Sequence, residues 1–385
     1  MIKKKICIVI NNRANYARIK TLLNAIKKHK KLQLQLILES SAILSRYGSV
    51  DRIIAKDGFK ADEMIYTVIE GENLSTMSKS AGLAIIELTT IFAKLKPDIV
   101  LTIADRYETL PIAMVATYMN IPLAHTQGGE VTGSIDESVR HATTKLAHIH
   151  FPATKKSAIN LLKLGEDPKN IHMTGCPSID LIKGLDLSIN QKFINKYKIQ
   201  GVGEDIDITK DYIVVLQHPV TTEYGSGLKQ ITETINAVKG LDINIIWLWP
   251  NVDAGSDSIS NGLRSFRESQ KLKKIKFYKN FEPEDYLRLI NNSLCIVGNS
   301  SSAIREASYL GVPAVNIGTR QQNREHGKNV ISVGYNSKKI KQAILSRIKL
   351  KKFKRETIYG DGNAGSKIAE ILLKTDVKIQ KKLNY

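Results

Sequence analysis

Short β-branched runs alternate with amphipathic segments along most of this sequence, and the alternation restricts the folds that the chain can adopt. The runs are mostly apolar, as expected of strands buried on both faces of a sheet. They occupy residues 6–10, 34–38, 99–103, 121–124, 213–216, 243–248, 294–297 and 314–317. Helical patterns lie between them, at 18–28, 83–95, 109–118, 137–147, 158–164, 285–291 and 303–310. This order predicts parallel α/β sheets covered by helices on both faces.

The length of the chain, 385 residues, exceeds what one hydrophobic core of ordinary size holds, so two domains are expected. A charged stretch at 185–207, containing Asn and Gly, interrupts the alternation and marks the boundary. We predict a Rossmann-like domain at 1–185, a second one at 186–358, and a helix (365–374) with a frayed basic tail at 359–385. The predicted architecture is two doubly wound domains that face each other across a cleft.

The net charge is +20, from 57 basic and 37 acidic residues. An excess of this size is found in proteins that bind nucleic acid. The basic residues are spread along the chain, however, and the sequence has neither zinc-knuckle spacing nor the aromatic and basic pattern of an RNA-recognition sheet. We interpret the charge as solvated basic surface and expect no nucleic-acid or membrane partner.

Cysteine usage and hydropathy both indicate a cytoplasmic protein. Cys7, Cys176 and Cys295 are odd in number, far apart and without metal-ligand spacing, as expected of buried thiols in a reducing compartment. The first apolar run is five residues long, too short for the core of a signal peptide. No stretch approaches the ~18–20 apolar residues that cross a bilayer.

Polar residues immediately follow four of the strand-like runs. They occupy residues 11–15, 104–106, 125–130 and 217–219. Ligands of open parallel sheets bind at the carboxyl ends of strands. Taken alone, Asp105 is explained as a helix N-cap and His218 as a buried core histidine. Four such groups in matching positions favour a binding or catalytic site.

A fifth polar group, Gly-Asn-Ser-Ser-Ser at 298–302, follows the run 294–297 and opens the helical pattern 303–310. Small hydroxyl residues at a helix start, with free N–H groups and the positive end of the helix dipole, suit a phosphate or pyrophosphate. The alternative is a serine N-cap without a ligand. Glu306 lies within reach of a ribose hydroxyl of such a ligand. No Walker motif and no Gly-x-Gly-x-x-Gly is present, which disfavours ATP hydrolysis and nicotinamide binding.

Ordered motifs extend over nearly the whole chain. They are Arg13-Ala14-Asn15-Tyr16, Asp105-Arg106, Gly128-Gly129-Glu130, Arg140-His141, Gly175-Cys176-Pro177, His218-Pro219-Val220-Thr221-Thr222-Glu223, Pro250-Asn251, Gly298-Asn299-Ser300-Ser301, Ile304-Arg305-Glu306-Ala307, Gly311-Val312-Pro313 and Gly318-Thr319-Arg320-Gln321. Together they resemble the hydrolysing UDP-N-acetylglucosamine 2-epimerases, in the branch that serves sialic-acid and legionaminic-acid synthesis. The resemblance implies a GT-B-like fold, a pair of Rossmann-type domains with the nucleotide held mainly by the C-terminal one.

The chemistry that the resemblance implies has two stages. A base removes the proton at sugar carbon 2 while the nucleoside diphosphate leaves carbon 1, which gives a glycal. Water then adds at carbon 1 and a proton returns to the other face of carbon 2, which releases a manno-configured sugar. The reaction needs carboxylates near the sugar and cations or N–H groups near the diphosphate. It requires no metal and no cofactor, and we expect a homo-oligomer.

Each role falls on particular residues by resemblance. Asp105 and Asp136 match the acid/base carboxylates, and Arg13 and His218 match groups that contact the leaving phosphates. The other predicted substrate-binding residues are Arg18, Asn251, Ser300, Ser301, Ser302, Glu306 (to the ribose) and Arg320.

Two positions depart from the family pattern. Gln127 stands where the wider family usually has a carboxylate, and an amide cannot titrate. Four explanations of this difference are open. Glu130 supplies the carboxylate instead, Gln127 binds a polar group of the substrate, this branch uses fewer carboxylates, or the activity is altered. Asn11-Asn12 replaces a Gly-Thr or Gly-Ser pair, and Asn tolerates the left-handed conformation that a tight turn there would need.

Three functions remain open from the sequence. The first is a hydrolysing epimerase, converting UDP-N-acetylglucosamine to N-acetylmannosamine and UDP, or the 2,4-diacetamido-6-deoxy analogue, for nonulosonate synthesis. The second is a GT-B glycosyltransferase, and the third is a non-catalytic nucleotide-sugar binding protein. The sequence specifies neither the amino sugar nor whether UDP or GDP carries it.

Overall fold

The computed structural model describes residues 2–269, 274–350, 352–382 and 384. The chain divides into two compact units. We call Met1–Val131, Ile135–Lys183 and Tyr359–Tyr385 the N-terminal unit, and Thr132–Ser134 with Gly184–Ile358 the C-terminal unit. The end of the chain, predicted as a separate tail, therefore clusters with the N-terminal unit, and three residues of the predicted first domain cluster with the C-terminal unit.

The N-terminal unit is built on a six-stranded parallel sheet of order β3-β2-β1-β4-β5-β6. Its strands are β1 (Lys4–Ile10), β2 (Leu32–Glu39), β3 (Glu63–Ile65), β4 (Ile99–Ile103), β5 (Leu123–Thr126) and β6 (Ile149–Phe151). Side chains of a strand point alternately to its two faces, and both faces here are buried. Ile6, Ile8 and Ile10 lie in one hydrophobic cluster, and Cys7 and Val9 lie in the other.

Helices cover both faces of this sheet, as the sequence predicts for a parallel α/β domain. They are α1 (Arg13–Ala17), α2 (Lys20–Lys28), α3 (Val50–Lys56), α4 (Leu74–Leu95), α5 (Thr109–Tyr118), α6 (Asp136–Leu146), α7 (Lys155–Lys163) and α8 (Pro177–Asp180).

The C-terminal unit has a seven-stranded sheet of order β13-β12-β11-β8-β9-β10-β7, parallel except for the edge strand β7. The strands are β7 (Val202–Gly203), β8 (Tyr212–Leu216), β9 (Asn244–Leu248), β10 (Ile275–Tyr278), β11 (Cys295–Gly298), β12 (Ala314–Ile317) and β13 (Val330–Val333). The helices are α9 (Gln191–Lys198), α10 (Gly227–Val238), α11 (Ser256–Ser269), α12 (Pro283–Asn292), α13 (Glu306–Leu310) and α14 (Ser337–Ile348). Strand β8 places Ile213 and Val215 in one hydrophobic cluster and Val214 and Leu216 in the other.

The last helix, α15 (Ala364–Lys374), packs in the core of the N-terminal unit through Ile368, Ala369 and Leu372. The segment after it, predicted to fray, is hydrogen-bonded to this unit through Thr375 and Lys381. Leu383 and Tyr385, also in the predicted tail, lie outside the described residues. Among the helices described, none combines the length and hydropathy that crossing a membrane requires.

Candidate active site

Strand order reverses once in each unit, and the predicted site residues follow the strands at which it reverses. In the N-terminal unit the chain adds β2 and β3 on one side of β1, then β4, β5 and β6 on the other. In the C-terminal unit it adds β9 and β10 on one side of β8, then β11, β12 and β13 on the other. A crevice at the carboxyl ends of the two central strands is where open α/β sheets bind ligands. Arg13 and Asp105 follow β1 and β4, and His218 and Ser300 follow β8 and β11.

The backbone immediately before Asp105 is held in an unusual conformation. Ala104 has φ 63°, in the left-handed region that residues with a side chain rarely adopt. Its carbonyl accepts a hydrogen bond of 2.7 Å from Nε2 of His125. Burial lowers the pKa of His125 to about 4, so the imidazole is neutral and Nδ1 is free to accept from the Thr144 hydroxyl. The strand predicted at 121–124 in fact extends to Thr126, which places His125 inside β5 and not after it.

Asp105 forms a buried ion pair with Arg140 of α6. The Arg140 side chain is fully buried, and its Nη1 also donates to the Glu130 carbonyl (2.8 Å) and to Oε2 of Glu137 (2.8 Å). Burial alone would lower the pKa of Arg140, but the charges of Asp105 and Glu130 outweigh it and raise the pKa. The guanidinium therefore fixes the position of the Asp105 carboxylate and compensates its charge.

The other predicted carboxylates belong to the same neighbourhood. Asp136 is the first residue of α6 and is half-buried, and it lies four residues before Arg140 on one face of the helix. Glu130 is buried, and its charge acts on Arg140. The N-terminal unit thus places Asp105 and Glu130 beside one buried cation, with Asp136 about one helical turn before that cation on α6.

Gln127 is the first residue after β5 and has φ 64°. Its backbone N–H donates to the Phe151 carbonyl (2.9 Å), and its side-chain Nε2 donates to Sγ of Cys176 at 3.4 Å. The sulfur in turn lies 3.2 Å from the Ser178 hydroxyl. A buried amide next to a thiol holds the position where the family resemblance leads one to expect a carboxylate.

The Asn pair after β1 leads directly into the first helix. Asn12 is the N-cap of α1, with φ −162°, and its side chain accepts from the Asn15 N–H at 2.9 Å. Neither Asn11 nor Asn12 has a positive φ, so this turn does not use the left-handed conformation that Asn tolerates. Arg13 begins α1 and Arg18 ends it as the C-cap, and both are half-buried.

Asn11 belongs to a buried polar cluster that the sequence does not reveal. Its Nδ2 donates to Oε2 of Glu39 (2.8 Å), and the Thr67 hydroxyl donates to Oε1 (3.0 Å). Burial and then the charge of Glu108 raise the pKa of Glu39 to about 8, against the effect of these two hydrogen bonds. Glu108 is itself paired with Arg106 through two hydrogen bonds of 3.2 Å.

In the C-terminal unit, reciprocal hydrogen bonds join the ends of β8 and β11. The His218 N–H donates to Oδ1 of Asn299 (2.7 Å), and Nδ2 of Asn299 donates to the His218 carbonyl (2.8 Å). The Asn251 N–H donates to Nδ1 of His218 (3.1 Å). An accepting Nδ1 leaves the imidazole proton on Nε2, so His218 presents an N–H donor.

The predicted helix 303–310 is wrong in its first turn. Residues Ser301–Ala303 form a 3₁₀ turn, and α13 starts at Glu306. The Ser300 hydroxyl accepts from the Ser302 N–H (3.4 Å), a local bond that competes with helix formation. The Ser302 hydroxyl lies 2.8 Å from that of Tyr286. The serines therefore offer hydroxyl and turn N–H groups, but no long helix dipole.

Arg320 and Glu306 complete the predicted set. Nη1 of Arg320 donates to the Asn299 carbonyl (3.2 Å), next to the His218 pair. Glu306 is buried at the start of α13, where an acidic side chain also complements the helix N-terminus. The Gly133 N–H donates to the Arg320 carbonyl (3.1 Å), which holds the segment Thr132–Ser134 in the C-terminal unit. Within the described part of the chain, no group of three or more His, Cys, Asp or Glu side chains is arranged to hold a metal ion.

The family model described as UDP-N-acetylglucosamine 2-epimerase matches residues 24–373. The chain belongs to the UDP-N-acetylglucosamine 2-epimerase family. One relative is a UDP-N-acetylglucosamine 2-epimerase of Neisseria meningitidis, 30% identical over 94% of this chain and 92% of the relative. Another is a hydrolysing UDP-N,N'-diacetylbacillosamine 2-epimerase of Legionella pneumophila, 31% identical over 96% of this chain and 95% of the relative. The crystal structure of the Methanocaldococcus jannaschii UDP-GlcNAc 2-epimerase with UDP-GlcNAc and UDP has the same fold, with a TM-score of 0.79, 21% identity and coverage of 96% of this chain and 99% of the other. The predicted GT-B-like α/β fold is confirmed.

Three residues of this 2-epimerase family member were missed as site residues from the sequence alone. Arg140 is the buried partner of Asp105, His125 holds the backbone before it, and Asn299 ties His218 to β11. Arg140 carried a sequence signal, since it lies four residues after Asp136 on a predicted helix. The contacts of His125 and Asn299 join different strands, so they depend on strand order, which the sequence leaves unspecified.

Proposed function

We propose that this protein is a hydrolysing 2-epimerase, which converts a nucleoside-diphosphate N-acetylated amino sugar and water to the free 2-epimer and the nucleoside diphosphate. The observation that carries the proposal is the buried ion pair of Asp105 with Arg140 at the strand reversal of the N-terminal unit. Arg140 lies on α6, and the first residue of that helix is Asp136. A second carboxylate near a fixed first one suits a reaction that removes and returns a proton at one carbon.

In the proposed first stage, one carboxylate takes the proton from sugar carbon 2. The electron pair of that C–H bond forms a double bond to carbon 1, and the bond from carbon 1 to the phosphate oxygen breaks, so its electrons leave with the diphosphate. In the second stage, the oxygen of water bonds to carbon 1 and loses a proton to a carboxylate, while an acid protonates carbon 2 on the opposite face. The atoms sum to one water consumed, and neither stage changes an oxidation state of the protein.

The leaving diphosphate needs donors that stabilise its developing charge. In the C-terminal unit, the Nε2–H of His218, the guanidinium of Arg320 and the hydroxyls after β11 have the chemistry for this role. The proposal also includes the predicted contact of Arg13 with the phosphates and that of Glu306 with the ribose. It further includes the predicted substrate contacts of Arg18 and Asn251.

For the sugar, the proposal includes two candidates that the relatives' names supply. One is UDP-N-acetylglucosamine and the other is UDP-N,N'-diacetylbacillosamine, a diacetamido sugar. Both relatives are similar to this chain to nearly the same degree. The amide of Gln127, in place of a carboxylate, favours a substrate with an additional polar group to bind.

The test is incubation of the protein with these two sugars, each carried by UDP and by GDP, followed by NMR of the products. We expect a free manno-configured sugar and one equivalent of nucleoside diphosphate from one of the four. Conversion to a 2-epimer still linked to the nucleotide would assign the reversible, non-hydrolysing reaction. Turnover only with an added acceptor would assign a glycosyltransferase, and binding without turnover a non-catalytic protein.

The Asp105→Asn variant is the negative control in this experiment. Loss of a general acid or base costs about 10²–10⁴ in rate. Because the substitution also removes a charge from a buried ion pair, the melting temperature is measured alongside. Glu137→Gln is the matched variant. It alters another partner of Arg140, one that is half-buried, and it should retain turnover. Normal turnover in Asp105→Asn would contradict the catalytic role.

A further inference from the structure

Helix α6, which carries Asp136 and Arg140, is held at its C-terminal end by the last segment of the chain. Nζ of Lys381 donates to three carbonyls at this end of the helix. They are those of Thr144 (3.0 Å), Lys145 (3.0 Å) and Ala147 (2.7 Å). A cation that satisfies the free carbonyls of a helix end also complements its dipole.

Lys381 also reaches a fully buried carboxylate, that of Glu166, at 2.5 Å. The same carboxylate accepts from Lys145 of α6 (2.8 Å) and from Nε2 of His150 in β6 (2.9 Å). Burial would raise the pKa of Glu166, but the hydrogen bonds from His150, Lys145 and Lys381 lower it to about 2. Glu166 is therefore an anion that connects α6, β6 and the end of the chain.

Two further contacts hold the end of the chain in place. Nε2 of His148 donates to the Ile379 carbonyl (3.0 Å), and the Asn384 N–H donates to the Gly165 carbonyl (3.1 Å). We call residues 379–382 and 384 the C-terminal strap. Through Lys381, the strap is bonded to the helix that carries two members of the candidate site.

We propose that Lys381 is a positioning residue for the reaction, which fixes the end of α6 and thereby the placement of Asp136 and Arg140. This inference rests on the proposed function. With a rise of ~1.5 Å per residue, the 11-residue helix is about 16 Å long, so a tilt of about 5° at its end displaces its first turn by about 1.4 Å. A misplacement of about 1 Å costs a reaction up to about 100-fold.

The experiment compares Lys381→Met, which keeps the apolar stem and removes the donors, with Lys382→Met at an exposed neighbouring position. We expect Lys381→Met to lower kcat by about 10- to 100-fold. KM and the affinity for UDP should stay within about twofold, because the C-terminal unit is unchanged. Misplaced acid/base groups should also release more glycal per free sugar formed, which a loss of stability alone does not cause. Lys382→Met should behave as the unaltered protein.

Hydrogen exchange separates this inference from the proposed function, because it needs no turnover. Lys381→Met should increase amide exchange in residues 136–140, far from the substitution. Unchanged exchange there, or a kcat loss fully explained by unfolded protein at the assay temperature, would overturn the inference. Failure of the unaltered protein to release free sugar would instead overturn the proposed function. If Lys381→Met does not fold, Lys381→Arg, which keeps the charge with a different shape, replaces it, and unchanged kcat, glycal release and exchange in that variant would equally overturn the inference.

Discussion

At the scale of single residues, Gln127 is where the chemistry of this chain departs most from its family resemblance. The side-chain Nε2 donates to Cys176, and the residue is buried. We predict that Gln127→Glu lowers kcat/KM on the native substrate, because a carboxylate offers no donor and repels a diphosphate. The loss should be larger for a diacetamido sugar than for N-acetylglucosamine. Steady-state kinetics on both sugars measures this, and equal or improved turnover on both would exclude a substrate-binding role for Gln127.

The alternative is that Glu130 has taken over the missing carboxylate. Glu130→Gln should then be as damaging as Asp105→Asn, and Gln127→Glu should be tolerated. The structure places Glu130 in the electrostatic field of Arg140, so its charge has a role in that neighbourhood whichever alternative holds. Only the combination of both variants separates the two explanations.

Glu39 gives a prediction about pH. Its pKa in the folded protein is about 8, raised from 4.5 by burial and by Glu108, so the folded state binds the proton more tightly than the unfolded chain. Its contribution to stability is therefore full below about pH 4.5 and is lost as the pH rises through about 8. Glu39→Gln keeps a neutral side chain at every pH. Its melting temperature minus that of the unaltered protein should therefore rise as the pH increases from 5.5 to 8.5.

Thermal unfolding at several pH values checks this, with Glu70→Gln as the control. Glu70 is exposed, and its pairing with Arg46 lies on the surface, so that substitution should have little effect at any pH. A melting-temperature difference for Glu39→Gln that does not vary with pH would mean that Glu39 is not protonated in the folded protein.

At the scale of elements, apolar composition decided which strands the sequence reveals. Each of the eight predicted strands overlaps an observed one, because a strand buried on both faces is predominantly apolar. The missed strands are short or interrupted by polar residues. Strand β6 contains His150 and β10 contains Lys276, whose Nζ is satisfied by the Lys198 carbonyl. Edge strand β3 has three residues, one of them the exposed Met64. These strands form because of contacts with other segments, so the local sequence does not predict them.

Gly298 tests the pairing of β8 with β11. It has φ 129°, and a Cβ at this position would overlap the Leu216 carbonyl. We predict that Gly298→Ala lowers the free energy of unfolding by about 3 kcal/mol or more and weakens UDP binding, because it separates the strand ends that carry His218 and Asn299. Gly334→Ala is the control, since a Cβ there meets no atom within 4 Å. Equal melting temperatures of the two variants would contradict the close approach.

At the scale of the whole molecule, the sequence predicted two α/β units and placed most candidate residues at strand ends. It did not predict the strand orders, so it did not show that Asp105 and His218 each follow a strand at which the order reverses. It also missed that Thr132–Ser134 cluster with the C-terminal unit while Glu130 and Asp136 on either side belong to the N-terminal unit. Contacts between residues far apart in the chain decide both features. Local patterns do not encode such contacts.

The assignment of diphosphate binding to the C-terminal unit gives the last prediction. His218 presents an Nε2–H, and a hydrogen bond to a charged group contributes about 1.5–3 kcal/mol, or about 10- to 100-fold in affinity. His218→Ala should therefore weaken UDP binding by at least about tenfold, whereas Asp105→Asn should leave it within a few-fold. His326→Ala, at an exposed histidine of the same unit, should bind UDP normally. Calorimetry measures all three, and Arg13→Ala added to the series tests whether the N-terminal unit also contacts the phosphates. Unchanged affinity in both His218→Ala and Arg13→Ala would mean that the leaving group is bound by other residues.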